Sequence, residues 1–181
     1  NPLDKIKELM SLVENYPYIP GFSGGAVGYL SYDTVRFFED IPDNNPDEIK
    51  TPETYFMFPS EIILFNHKNA TVDIIIYSND NEFKRIEELI KIIKTSEEDD
   101  YILSEGSKIE FSGNFTKEEY CEAVEKAKKY IFAGDIFQVV PSQRFKSPNK
   151  KEPINIYKAL RLTNPSPYMY YLRFDDLHIL G

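Results

Sequence analysis

The sequence predicts an α+β protein: antiparallel β-sheets flanked by helices, in two regions. Three observations carry this. Segments with helical spacing alternate with short β-branched and aromatic runs. Turn-forming clusters join neighbouring runs as hairpins rather than as crossovers. An acidic, weakly patterned stretch at 96–110 divides a region at 1–95 from one at 111–181.

The first element is a helix from about Leu3 to Glu14. Asn1 is positioned to cap it, Pro2 suits the first turn, and Asp4 favours the positive end of the helix dipole. Leu3, Ile6, Leu9, Met10 and Val13 form its apolar face, and the run Tyr16-Pro-Tyr-Ile-Pro-Gly21 ends it. A strand is expected over Phe22 to Tyr32, entered through Gly24-Gly25, with Gly28 leaving room for a close neighbour. The proline-rich acidic segment Asp40 to Pro52 reads as a surface loop. Thr54 to Phe65 and Thr71 to Tyr77 read as strands of one hairpin, turned by Asn66 to Ala70. An amphipathic helix follows from about Asn81 to Lys94.

In the second region Thr116-Lys-Glu-Glu119 is a capping box, and its helix runs to Ala133 with Gly134 as the left-handed stop. Ile136 to Phe145 reads as a strand, with Pro141 confining it to an edge or a bulge. A helix from Pro153 to about Leu162 stops before Asn164-Pro165. Tyr168 to Phe174 and Leu177 to Gly181 close as a hairpin around Asp175-Asp176.

Composition narrows the function. The net charge of −9 argues against a nucleic-acid partner, which requires a clustered basic face. The lysines from Lys146 to Lys151 read as a solvated turn. No apolar run approaches a membrane span. A single cysteine, Cys121, fits a reducing, cytoplasmic setting and reads as a small packing residue. The Gly21–Gly28 cluster lacks the Lys-Ser/Thr pair and the helix of a phosphate loop. His67 and His178 lie far apart, with no metal-ligand spacing.

Two segments remain. Alternation over Ile136–Phe145 puts Ile136, Gln138, Val140 and Ser142 on one face. Gln138 is then either an exposed strand side chain, the more economical reading, or a neutral amide facing a pocket. Arg144 has the same two readings, solvent-facing or gripping a carboxylate. Asn164-Pro-Ser-Pro-Tyr168 is a rigid bend, either a plain connector or a preformed site for a small ligand.

These segments, Gly134-Asp-Ile-Phe-Gln-Val-Val-Pro-Ser-Gln-Arg-Phe145 and Asn164 to Leu172, together with Gly24 to Arg36 and Glu39, resemble the chorismate-using component I of anthranilate synthases. The resemblance implies an incomplete two-domain α/β sandwich, with residues 111–181 opening the chorismate-binding domain. It implies amination of chorismate and elimination of pyruvate, with Mg²⁺ bound and ammonia supplied by a glutamine amidotransferase subunit, component II. Gln138 stands where related water-adding enzymes carry a lysine; a glutamine cannot serve as the base that activates water. Asn164, Pro165, Pro167, Tyr168 and Met169 correspond to one wall of a feedback site for L-tryptophan. The Leu-Leu-Glu-Ser segment of the other wall is not in this chain. The family's catalytic histidine, its magnesium-binding glutamates, and its pyruvate-binding tyrosine and arginine fall beyond Gly181. No catalytic or metal residue is therefore expected among these 181 residues, and the chain alone is expected to be inactive. Aminodeoxychorismate synthase component I is the sister possibility; Ile136-Phe137 before Gln138, and Met169, favour the anthranilate type.

Overall fold

The computed structural model describes residues 1–12, 21–22, 24–77, 81–97, 109–148 and 151–181. In chain order the elements are α1 (Pro2–Met10), β1 (Val27–Leu30), a 3₁₀ helix (Tyr32–Phe37), β2 (Thr54–Met57), β3 (Glu61–Asn66), β4 (Thr71–Ile76), α2 (Glu82–Thr95), β5 (Ser112–Gly113), α3 (Lys117–Ala133), β6 (Phe145–Lys146), α4 (Pro153–Thr163), β7 (Tyr171–Phe174) and β8 (Leu177–Leu180). The strands form four antiparallel pairs: β1 with β2, β3 with β4, β5 with β6 and β7 with β8. The chain divides into two compact units, Asn1–Asp100 with Tyr170–Gly181, and Tyr101–Met169. The closing hairpin thus groups with the first unit, although the sequence division assigned it to 111–181. The expected break at 16–20, the end of the first helix at 13–14 and most of the 96–110 linker lie outside the described residues.

In the first unit, Asn1 caps α1 by accepting a hydrogen bond from the Leu3 amide at 3.0 Å. The strand expected over Phe22 to Tyr32 is shorter, and the chain then turns into the 3₁₀ helix. Arg36 explains that turn. Its guanidinium donates to Asp33 at 2.9 Å and to the carbonyls of Ile41 and Pro42 at 2.9 and 2.8 Å. One side chain therefore gathers the start of the acidic loop. The strand expected from Thr54 to Phe65 splits at Phe58-Pro59-Ser60, where Pro59 has no amide to donate. Its first part pairs with β1, placing Gly28 opposite Phe56. A Cβ on Gly28 would lie 2.0 Å from the Tyr55 carbonyl oxygen, so only glycine fits there.

The β3–β4 hairpin forms as the sequence predicts. Asn66 accepts from the Asn69 amide at 3.1 Å, and Ala70 takes the left-handed conformation with φ 51°. Ile75 and Leu89 of α2 are among the buried apolar residues of this unit. At the end of the hairpin Arg85 grips Glu61 with two bonds, at 2.6 and 2.9 Å. The β7–β8 hairpin turns at Asp175, φ 48°, and Tyr170 and Gly181 exchange two backbone bonds beyond its open end.

In the second unit the capping box is complete. The Glu119 amide donates to the Thr116 hydroxyl at 3.2 Å, and Glu119 accepts from the Thr116 amide at 2.8 Å. Gly134 ends α3 at φ 83°, and the next amide, Asp135, donates back to Tyr130 at 3.0 Å. The expected strand over Ile136 to Phe145 is not formed. Only Phe145–Lys146 pairs, with Ser112–Gly113, because β5 is too short to offer Ile136 to Arg144 a ladder. That pairing partner, β5, was not foreseen.

Burial is thin throughout. The chain exposes 15695 Å², whereas two separate folded bodies sharing its mass would expose roughly 11,000 Å². Ile75, Leu89 and Phe174 are the buried apolar residues among those described, and none of them is fully enclosed.

Gly28→Ala is expected to unpair β1 from β2, seen as accelerated amide exchange at Ser31 and along both strands. Thr116→Ala is expected to destabilise the second unit by about 1 kcal/mol in chemical denaturation. The amide and hydroxyl of Thr116 hold the Glu119 carboxyl below its usual range. Its contribution is therefore present above the unfolded-state value and fades as pH falls through the lower folded one. Carboxyl NMR titration reads this directly, and Thr116→Ala, which removes the hydroxyl but keeps the backbone amide, should raise Glu119 only part of the way toward an ordinary glutamate.

Candidate functional site

The second unit carries every residue singled out for binding. Gln138 lies in the irregular segment after α3 and is exposed, not on a strand face. Phe137 beside it is 102% exposed. The segment is nevertheless anchored. The Tyr120 hydroxyl on α3 donates to the Pro141 carbonyl at 3.0 Å. Asn114 clamps Arg144 twice, accepting from its amide at 2.7 Å and donating to its carbonyl at 3.1 Å. Arg144 itself is half-buried, which departs from a fully solvated strand end.

The second segment begins where α4 ends. The Asn164 amide still bonds to the Leu160 carbonyl at 2.8 Å, but its ψ of 67° leaves the helix, as the following proline requires. Asn164, Pro165, Pro167 and Tyr168 are exposed and Met169 is half-buried. Tyr168 is 87% exposed, so it is available to a flat ligand but packed against little. The bend thus presents an aromatic ring and two rigid prolines on one short stretch.

A cavity of about 440 Å³ lies elsewhere, in the first unit, lined by Ser60, Glu61, Tyr77, Lys84, Arg85 and Glu88 among others. Three of the four charged side chains named, Glu61, Arg85 and Glu88, are already spent on one another. Arg85 is shared between Glu61 and Glu88, at 2.6 and 3.2 Å, and hydrogen bonding from Arg85 holds the Glu61 carboxyl below its usual range. An ion triad that satisfies itself is a poor recognition site, and none of the motif residues lines it.

Two polar pairs escaped the sequence reading. Tyr55 donates to Asp175 at 2.9 Å, 120 residues away, and that bond raises the Tyr55 pKa. The Tyr171 hydroxyl and His178 Nδ1 lie 2.7 Å apart across the β7–β8 hairpin. The second was legible in principle, since the residues are diagonal neighbours once the hairpin register is set. Cys121, expected to be a packing residue, is exposed. Among the described residues no group of three or more His, Cys, Asp or Glu is arranged to hold a metal ion. The Mg²⁺ that the resemblance implies therefore has no fitting donor set here. Among the same residues no helix is long and apolar enough to cross a membrane.

The described residues form small antiparallel sheets with outlying helices, an α+β arrangement that carries an exposed amide at Gln138 and a proline-braced aromatic bend at 164–169. The chain belongs to the chorismate-binding enzyme family, whose description "chorismate binding enzyme" matches residues 1–181. It is 39% identical to anthranilate synthase component 1 of Acetivibrio thermocellus, covering 100% of this chain and 40% of that protein. It is likewise 39% identical to the same component from Aquifex aeolicus, covering 100% of this chain and 39% of that one. The crystal structure of anthranilate synthase component I from Streptococcus pneumoniae superimposes with a TM-score of 0.85 at 29% identity, over 100% of this chain and 43% of that one. The chain therefore spans about two fifths of the length of the curated relatives it matches.

Phe137→Ala and Tyr168→Ala are expected to change stability by no more than about 0.5 kcal/mol, since neither ring is packed. Denaturant midpoints check this; a large loss at either would mean the ring is buried in solution.

Proposed function

We propose that this chain is part of an anthranilate synthase, which converts chorismate and ammonia into anthranilate and pyruvate. The observation that carries the reading is Gln138 within Gly134–Phe145, in a chain similar over its full length to proteins named anthranilate synthase component 1. A glutamine has no titratable group near neutral pH and cannot take a proton from water. Ammonia needs no such base, because its free form is already nucleophilic. An amide at this position therefore suits amination over hydration.

In this reading a glutamine amidotransferase subunit supplies the ammonia, Mg²⁺ is bound by residues outside this chain, and the enzyme works in the cytoplasm. L-Tryptophan, the end product of the route that anthranilate enters, acts as feedback inhibitor. Asn164, Pro165, Pro167, Tyr168 and Met169 form one wall of its site. Prolines on either side of Ser166 keep the wall stiff, so a flat aromatic ligand orders little backbone on binding. The sister reading, aminodeoxychorismate synthase component I, is favoured less by Ile136-Phe137 and by Met169.

The test is made on a polypeptide that joins these residues to the downstream region of the relatives. With chorismate, ammonium and Mg²⁺ it is expected to release fluorescent anthranilate, inhibited by tryptophan. Tyr168→Ala should raise the tryptophan needed for half inhibition by roughly tenfold, the loss of one aromatic contact of about 1.5 kcal/mol. Accumulation of aminodeoxychorismate in place of anthranilate would overturn the reading. The 181-residue chain alone is expected to form no anthranilate and to give no micromolar tryptophan binding by calorimetry.

A further inference from the structure

We propose that Tyr120 is a positioning residue for Gln138: its hydroxyl, through the Pro141 carbonyl, ties to α3 the segment that carries the amide. The inference rests on the reading of Gln138 as a residue of the substrate pocket, and it names the group that keeps that amide in place.

The half-buried residues of α3 are Tyr120, Val124 and Ala127. Their spacing of four and then three puts them on one face of the helix. Apolar packing accounts for Val124, for Ala127 and for the ring of Tyr120. It does not account for the hydroxyl. That group donates to the Pro141 carbonyl at 3.0 Å in a part-buried setting, across 21 residues of sequence. A part-buried hydroxyl bonded to one distant carbonyl fixes a distance, which a ring in apolar contact does not.

Gln138 sits midway between two ties. Three residues before it, the Asp135 amide donates to the Tyr130 carbonyl at 3.0 Å. Three residues after it, Pro141 accepts from Tyr120, and the proline ring stiffens the backbone at that point. Tyr130 lies near the end of α3 and Tyr120 near its start, so one helix sets both ends of the span. The clamp of Asn114 on Arg144 comes three residues further on and acts at a greater remove. A side chain that orients a small ligand has to be held within about 0.5 Å, and small displacements cost large factors in rate. The Tyr120 hydroxyl is the side-chain group placed to do this for Gln138.

The experiment uses the polypeptide that joins these residues to the downstream region of the relatives, with Tyr120→Phe, Gln138→Ala and the two combined. Tyr120→Phe keeps the ring and removes only the donor. Chorismate consumption is measured below the onset of unfolding of every variant, and backbone amide relaxation by NMR reads mobility at Gln138. Tyr120→Phe is expected to lower kcat/KM for chorismate about fivefold, the worth of one hydrogen bond between neutral groups. It should also raise mobility at Gln138 and leave the amides of α3 as they were. In the Gln138→Ala background the same change should cost less than about twofold, because no amide is left to position. Equal costs in the two backgrounds, unchanged mobility at Gln138, or an unchanged kcat/KM would each overturn the proposal. Consumption of chorismate is read whatever product forms. Chorismate lost without anthranilate defeats the anthranilate reading alone, anthranilate formed with equal costs in the two backgrounds defeats this inference alone, and no consumption at all defeats both.

Discussion

Phe174 holds the first unit together. It is 4% exposed, with its ring centroid 4.4 Å from Tyr55 and 5.9 Å from Tyr29. Next to it the Tyr55 hydroxyl donates to Asp175 at 2.9 Å. A hairpin from the end of the chain is thereby fastened to the β1–β2 pair from its beginning. Two-stranded hairpins are marginal in water on their own, so each of these pairs needs the other. The contact falls at the turn itself, where Asp175 has the left-handed backbone that lets β7 fold onto β8. Gly28 belongs to this arrangement too, since the close approach of β1 and β2 is what brings Tyr29 and Tyr55 to one ring.

The second unit depends on helix ends rather than on a core. Its helix α3 has a capping box at one end and a left-handed glycine at the other, which satisfy backbone groups that would otherwise be unpaired. No apolar residue of this unit is fully buried among those described. A helix can be delimited by caps alone, but a strand has no such local device. Its hydrogen bonds come from another strand, and that is why Ile136 to Arg144 lacks regular structure while α3 beside it is regular. Part of the exposed apolar surface has the same origin. Apolar residues at sheet spacing remain in water wherever the sheet stops after two strands.

How well each element could be read from the sequence follows from how local its causes are. The capping box at Thr116, the stop at Gly134, the turn at Asn66 and the end of α4 before Pro165 all depend on residues within a few positions of one another. Each is where the sequence puts it. The break at Pro59 is equally local, but in the sequence pattern the β-branched and aromatic run around it outweighs one proline. The β5–β6 pair joins residues some thirty positions apart, and nothing in Ser112-Gly113 announces it. Likewise Arg36 shapes the acidic loop through the carbonyls of Ile41 and Pro42, which any residue could supply, and through an ion pair with Asp43 at 3.3 Å that no motif records.

Family membership was legible from the sequence alone, since Gly134–Phe145 and Asn164–Leu172 are long, ordered motifs whose residue identities survive in any conformation. The same holds for the helices, whose hydrogen bonds are internal and whose ends are written in their caps. The tertiary structure decided which strands find partners, where Tyr55 meets Asp175, and that Gln138 and Tyr168 face outward. Those outcomes depend on what each side chain meets in space. A strand pattern specifies a surface able to pair, and only the rest of the fold supplies the partner.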